Sequence, residues 1–469
     1  MTGLPLELDA EQMAALGDAA MAFASSFVAE RAIAPASNQG DPALPELLAA
    51  LAASPGEAGR PLAHLLDLVG RAAAHGVDTA GPGYLGFIPG GGLFSAAVAD
   101  FVTLVVNRMM MVPALGPALA QIEATAVRWL ADLAGLPPAA GGILTSCGSM
   151  ANFSAVVAAR VDRLPEDFRA GTLYVTDQAH HSVAKSAMLA GFAAAAVRPV
   201  PTTADLHMDL GALAAMVADD RRAGRLPFAV VANAGTTNTG AVDPLDRLAD
   251  LAATENLWLH VDAAYGGMFL LTERGRARFA GIARADSVTL DPHKGLFLPY
   301  GTGALVVRDS ELLRRSHRVA APYLPDADPT WSVPSFADLS PELSRELRGL
   351  RVWLPLQLHG VAAFRAALDE KLDLAAAAHG ALRQVRDLEL PWRPELSVVA
   401  FRHRDGDGAT DDLLQRVNAS GRVFLSSTTI AGRRTIRLSI LSHRTHADRV
   451  EEAVKLVAQA ASGRGSGGR

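Results

Sequence analysis

Trp258-Leu259-His260-Val261-Asp262 is a short apolar run that closes on a carboxylate, and Ser287-Val288-Thr289-Leu290 repeats the pattern before Asp291-Pro292-His293-Lys294-Gly295. Further runs of this kind stand at Leu173 to Thr176, Phe228 to Ala232 and Ala304 to Val307, separated by Ala/Leu-rich stretches of helical pattern. Such alternation predicts an α/β domain over residues 85–355 with a mostly parallel sheet buried on both faces. Ligands in sheets of this type collect at the carboxyl ends of the strands. Asp262 and Lys294 both fall at such ends.

Outward from this core the pattern changes twice. Residues 1–84 read as helices in two pieces, split by the Pro/Gly/Asn/Asp-rich stretch from Pro35 to Pro45. That arm has little core of its own and needs a surface to pack on, for which a second subunit is the natural candidate. Residues 356–469 read as a smaller α+β domain: a long helix from Leu356 to Ala378, strands at Ser397 to Arg402, Val423 to Ser426 and Thr435 to Ile440, and a terminal helix from Ala447 to Ala461. The Gly/Ser/Arg-rich end, Ser462 to Arg469, carries no such pattern.

With 469 residues, half of them hydrophobic, the chain is long enough for a large core. A net charge of -6 without any basic run argues against nucleic acid or an anionic membrane as partner. The single cysteine, Cys147, rules out an intrachain disulfide and a multi-thiolate metal site and fits a cytoplasmic protein. No signal-peptide pattern opens the chain, and Asn107, Arg108, Pro113 and Pro117 interrupt the most apolar window.

Four further motifs fall at strand ends. Gly142-Ile143-Leu144-Thr145 runs into Ser146-Cys147-Gly148-Ser149 and a helix, where amides and the Ser149 hydroxyl suit a phosphate dianion, although an ordinary capped helix reads the same way. Asp177-Gln178-Ala179-His180-His181-Ser182 offers an imidazole that could stack on a flat ring; adjacent histidines point apart, and no zinc pattern accompanies them. Gly235 to Pro244 is a loop of small donors including Thr237, or simply a turn with Asp243 as a helix cap. Ala264, after Asp262, is small enough to lie against a ring. A lysine amine condenses with an aldehyde, and a carboxylate beside a pyridine nitrogen keeps it protonated, so Lys294 and Asp262 together point to pyridoxal phosphate.

In order, TSCGSMAN, DQAHHS, GTTNTGAVDP, HVDAAYGG and DPHKGLFLPYGTG resemble the pyridoxal phosphate-dependent decarboxylases of the aromatic amino acid, histidine and glutamate decarboxylase family. The likeness runs from GFIPGGG near residue 86 to IRLSILSHRTHADRVEEA. It implies the aspartate aminotransferase-type fold and a homodimer with active sites at the subunit interface. By motif position, Lys294 would bind the cofactor, Asp262 would pair with the pyridinium nitrogen, and His180 would stack on the ring. Cys147, Gly148 and Ser149 would hold the phosphate, with Thr237, Asp291 and His293 nearby. Asp291 stands where animal aromatic decarboxylases have Asn, which places a carboxylate close to the phosphate.

The resemblance also places Phe87, Ile88, Gly90 and Pro113 at the substrate cavity, with Pro113 in place of a large aromatic. The amides of Gly90-Gly91-Gly92 could receive an anionic group, or form a tight turn. Family decarboxylases commonly return a proton from a loop tyrosine. In the loop from Tyr323 to Leu339, Ser335 or Phe336 falls nearest that position, and phenylalanine there resembles aldehyde synthases. The expected reaction is decarboxylation of an L-amino acid to its amine. Oxidative conversion to an aldehyde, another lyase reaction on the same cofactor, and a non-catalytic homologue are the alternatives.

Overall fold

The computed structural model describes residues 6–38, 42–110, 115–319 and 333–463. Three helices, α1 (Ala10–Glu30), α2 (Leu44–Leu51) and α3 (Leu62–Ala74), form the N-terminal arm, and the two-residue strands β1 (Ser37–Asn38) and β2 (Gly76–Val77) tie its ends together. Asp9 caps α1 in a reciprocal capping box with Gln12. Yet α1 buries none of its residues, so local propensity and the cap hold it rather than a core of its own.

The large domain is built on seven strands: β3 (Gly141–Thr145), β4 (Gly171–Thr176), β5 (Val197–Val200), β6 (Leu226–Asn233), β7 (Trp258–Ala263), β8 (Ser287–Leu290) and β9 (Gly303–Val307). Their order across the sheet is β3-β9-β8-β7-β6-β4-β5. Only β9 runs against the others, pairing antiparallel with β3 and β8. The expected mostly parallel sheet is therefore present. Every residue of β4, β7, β8 and β9 is buried, which explains why these strands read as continuous apolar runs. One hydrophobic cluster, with Leu259, Val261 and Val288, covers one face; another, with Leu173, Val231 and Leu305, covers the other.

Strand β5 escaped the sequence reading because Val197-Arg198-Pro199-Val200 carries a charge and a proline at the sheet edge. Helix α4 (Phe94–Val106) leads away from the Gly-rich turn and α5 (Pro117–Leu133) packs behind β3. Helix α6 (Gly148–Arg163) starts directly after β3 and lies across the sheet.

The helix Gly349–Leu382 leads into the small domain and is broken at Gly360, whose φ of 71° no other residue type adopts easily. The expected boundary near residue 356 falls within this helix. Four strands follow, β10 (Leu388–Glu389), β11 (Val398–His403), β12 (Ser426–Ile430) and β13 (Arg433–Ser439), in the order β10-β11-β13-β12, all antiparallel. The terminal helix spans Ala447–Ala461, as read from the sequence. The strand expected at Val423 to Ser426 instead begins at Ser426, because Leu425 is held by Asn418 and Phe424 joins the extended segment at Tyr84. That segment is fastened on both sides, Leu85 N–H donating to the Phe424 carbonyl and Ser439 N–H to the Leu85 carbonyl.

Candidate active site

Five chain segments leave the carboxyl ends of β3, β4, β6, β7 and β8 and meet around a cavity of about 230 Å³. The segment after β3 brings Cys147, Gly148 and Ser149, and the one after β4 brings His180. Thr237 follows β6, Asp262 and Ala264 close β7, and Asp291, His293 and Lys294 follow β8. Each residue expected to touch the cofactor lines this one space.

The start of α6 has no side-chain cap. Its first amides are left for an external anion, and the helix dipole favours one there. The reading of Asp243 as a cap is not what the fold builds. Its carboxylate is buried and accepts from the Asn233 and Met208 backbone amides at 2.7 Å each, closing the loop after β6 on itself. Burial pushes that carboxyl's pKa up.

Asp262 is 8 % exposed and both its oxygens are engaged: Oδ1 accepts from Ala264 N–H at 3.1 Å, and Oδ2 from Asn152 Nδ2 at 2.9 Å. Asn152 is the hub of a buried polar chain. Ser287 Oγ accepts from Trp258 Nε1 at 2.8 Å and so turns its own proton toward His260 Nδ1, 2.8 Å away. His260 Nε2 then carries hydrogen and donates to Asn152 Oδ1 at 3.0 Å, a bond shared by Thr289 Oγ1 at 2.7 Å. The Asn152 amide donates onward to Asp262 and, at 3.0 Å, to Ser182 Oγ. Ser182 Oγ in turn lies 2.8 Å from His180 Nδ1 and donates to it, which leaves the His180 proton on Nε2. One chain of donors thus fixes the Asp262 carboxylate and the His180 tautomer together. Burial depresses both imidazole pKa values, that of His180 and that of His260, against the pull of Asp262.

On the opposite wall Lys294 Nζ lies 3.1 Å from Asp291 Oδ2, and His293 Nδ1 accepts from Thr302 N–H at 3.2 Å. Burial also depresses the His293 pKa. Arg437 on β13 clamps the small domain to this rim. It is 3 % exposed, donates to the carbonyls of Asn238, Thr237 and Phe87, and burial pulls its pKa down to about 10.

The expected substrate-side residues behave differently. Phe87 sits at φ 46° and is 59 % exposed, outside the cavity lining. Ile88 belongs to the large-domain core and does not line the cavity. Gly90 abuts the cavity wall from behind: a Cβ there would come 2.7 Å from the His293 carbonyl oxygen and 3.2 Å from the Tyr300 ring. Phe336 is 1 % exposed, packed in the core under the Arg345 guanidinium at 5.0 Å, so its ring does not face the site of its own chain. Pro113 lies outside the described residues.

Asn152, Ser182, Asn233 and Tyr265 also line the cavity and were not singled out from sequence. Asn152 carried a usable signal: a lone amide in the Ala/Val-rich body of α6, one turn after Gly148 and Ser149, and therefore on their face.

A strand-end lysine and a strand-end carboxylate sharing a cavity with an uncapped helix start define an α/β enzyme built around a phosphorylated cofactor. The chain belongs to the pyridoxal-dependent decarboxylase family, whose conserved domain matches residues 47–404. It is 37% identical over 373 residues to the aromatic-L-amino-acid decarboxylase of Bacillus atrophaeus, a match covering 78% of each chain. Against the L-2,4-diaminobutyrate decarboxylase of Rhizobium meliloti (strain 1021) the identity is 33% over 426 residues, 89% of this chain and 83% of the other. Among solved structures, Oryza sativa TDC with PLP and tryptamine superposes with a TM-score of 0.92 at 27% identity, over 98% of this chain and 99% of that one. The enzyme is a pyridoxal phosphate-dependent carboxy-lyase. The cavity suits that cofactor, since the opening of α6 carries no side-chain cap and Gly148 keeps it free of a side chain.

Proposed function

We propose that the cavity binds pyridoxal phosphate through Lys294 and serves the decarboxylation of an L-amino acid to its amine and carbon dioxide. One observation carries the assignment of roles: Lys294 and Asp262, set on different strand ends, line the same cavity with the opening of α6. The phosphate would sit at Cys147, Gly148 and Ser149, with Thr237 and His293 beside it. Asp262 would face the ring nitrogen and hold a proton on it, Ala264 would lie under the ring, and His180 would lie over it.

When bound, the cofactor supplies the sink for the electron pair that departing carbon dioxide leaves behind. Asn152 keeps Asp262 in place through the Nδ2 bond, so the carboxylate is preorganised rather than recruited during the reaction. His180, its tautomer set by Ser182, presents Nε2–H, and that donor would orient the substrate carboxylate. Lys294 would hold a proton at Nζ within the same cavity.

The reading extends to a homodimer with active sites at the interface, acting in the cytoplasm on an amino acid as its small-molecule substrate. Its support is the apolar face of α4, where Phe101, Leu104 and Val105 are 60%, 65% and 68% exposed, together with an arm helix that buries nothing within its own chain. Mass spectrometry of products from a panel of aromatic, acidic and basic amino acids, under air and under nitrogen, tests the reaction. An amine formed equally in both gases is the expected result. An oxygen-dependent aldehyde would replace simple decarboxylation by the oxidative reading.

A further inference from the structure

Asp291 is a cavity residue whose hydrogen bonding is incomplete. Its carboxylate is 2 % exposed, with Oδ2 at 3.1 Å from Lys294 Nζ and 3.6 Å from His293 Nε2, while Oδ1 has no partner among the described residues. A Cβ built on Gly148 would come 2.9 and 3.1 Å from its two oxygens, and one on Gly303 would come 2.8 Å from Oδ1. The carboxylate is therefore wedged against the uncapped opening of α6, with both oxygens close to Gly148 and the unpartnered one also against Gly303.

The charged and titratable groups around it are few. Lys294 and His293 stand on its own turn, His180 comes from the loop after β4, Cys147 precedes α6, and Asp262, a second carboxylate, closes the neighbouring strand β7. Burial disfavours the charged form of both imidazoles, which leaves Lys294 as the basic side chain paired with the carboxylate among the described residues. A buried carboxylate is tolerated while its cation stays and becomes costly when the cation leaves. An amine committed to the cofactor is no longer available to Asp291, and a phosphate at the start of α6 adds a second anion beside it.

We propose that Asp291 takes up one proton from solvent when the phosphate of pyridoxal phosphate enters the α6 opening, and that the resulting carboxylic acid donates a hydrogen bond to that phosphate. The inference rests on the cofactor assignment above. The proton ends on an Asp291 oxygen, no covalent bond to the cofactor is made or broken in this step, and two neighbouring like charges become one donor and one acceptor.

Calorimetric titration of the full-length apo chain with pyridoxal phosphate, in two buffers of different ionisation enthalpy from about pH 6 to about pH 8, counts the protons exchanged. The wild type is expected to take up about one proton more than Asp291→Asn, whose amide donates without titrating. The sign follows: proton uptake on binding weakens affinity as pH rises, by up to about tenfold per pH unit relative to the variant. Equal proton counts would overturn the inference. Infrared difference spectra of wild type on cofactor loading give an independent readout should the variant fold poorly: a carboxylic acid carbonyl band is expected, and its absence would also overturn the inference. A wild type that binds no cofactor at all would overturn the underlying assignment as well, and that outcome is recognisably different from equal proton counts.

Discussion

The cofactor half of the site and its substrate half are built by opposite means. The residues proposed for the cofactor side hang on the carboxyl ends of buried parallel strands, and three of them are held by neighbours: Asp262 by Asn152 and Ala264, His180 by Ser182, Lys294 by Asp291. The residues expected on the substrate side come from the Gly-rich turn and a short helix, where Phe87 is exposed, Gly90 backs onto the wall and Phe336 is turned into the core. A preorganised electron-handling apparatus is common to many substrates. The rim that selects among them is left to segments that can change without disturbing the sheet.

The largest effect that would break this contrast lies on the cofactor side. Lys294→Ala is expected to remove measurable turnover together with the visible absorbance of the loaded enzyme; retained turnover would contradict the division. Asp262→Ala should keep part of the cofactor, yet lower kcat on the order of 100-fold or more, the scale on which a preorganised charge acts. Asn152→Ala leaves both reactive groups in place and removes what positions them. A fall of roughly 10- to 100-fold in kcat/KM is expected, with the visible absorbance shifted because Asp262 and His180 are both released. An unshifted spectrum would show that the polar chain is structural only.

Two smaller effects sharpen the substrate side. His443 packs against the Gly-rich turn, 5.7 Å from the Phe297 ring, and burial holds its pKa down at about 3 against an unfolded value near 6.5. Between those values the unfolded chain binds a proton that the folded chain refuses, so this contribution is present above about pH 6.5 and lost as pH falls toward 3. Thermal unfolding of wild type should therefore lose stability relative to His443→Gln across that window. Phe336→Tyr should cost about 1–3 kcal/mol by placing a hydroxyl in a filled core, with the product unchanged. A changed product would return Phe336 to the substrate pocket.

What was legible in the sequence follows the same division. Strands β4, β6, β7, β8 and β9 announce themselves because burial on both faces requires uninterrupted apolar runs, and residues just beyond a strand end are placed by the strand itself. Cys147, Thr237 and Lys294 could thus be assigned to one space although 147 chain positions separate the first from the last. Strand β5, with Arg198 and Pro199 at the edge, lacked the run. Phe336 and Ile88 could not be placed because nothing local tells an apolar residue whether its side chain will meet a cavity or a core; that depends on Arg345 and on the cluster around Leu130. Asp243 looked like a cap because it precedes a helix, and only the returning loop showed its true partners to be Asn233 and Met208.

The central claim is that Lys294 carries the cofactor. The chain has four lysines, Lys185, Lys294, Lys371 and Lys455, of which Lys294 alone lines the cavity. Borohydride reduction of the loaded enzyme followed by peptide mass mapping reads the attachment point directly. The account expects one reduced pyridoxyl group per chain on Lys294, and a label on any other lysine, or none at all, would contradict it.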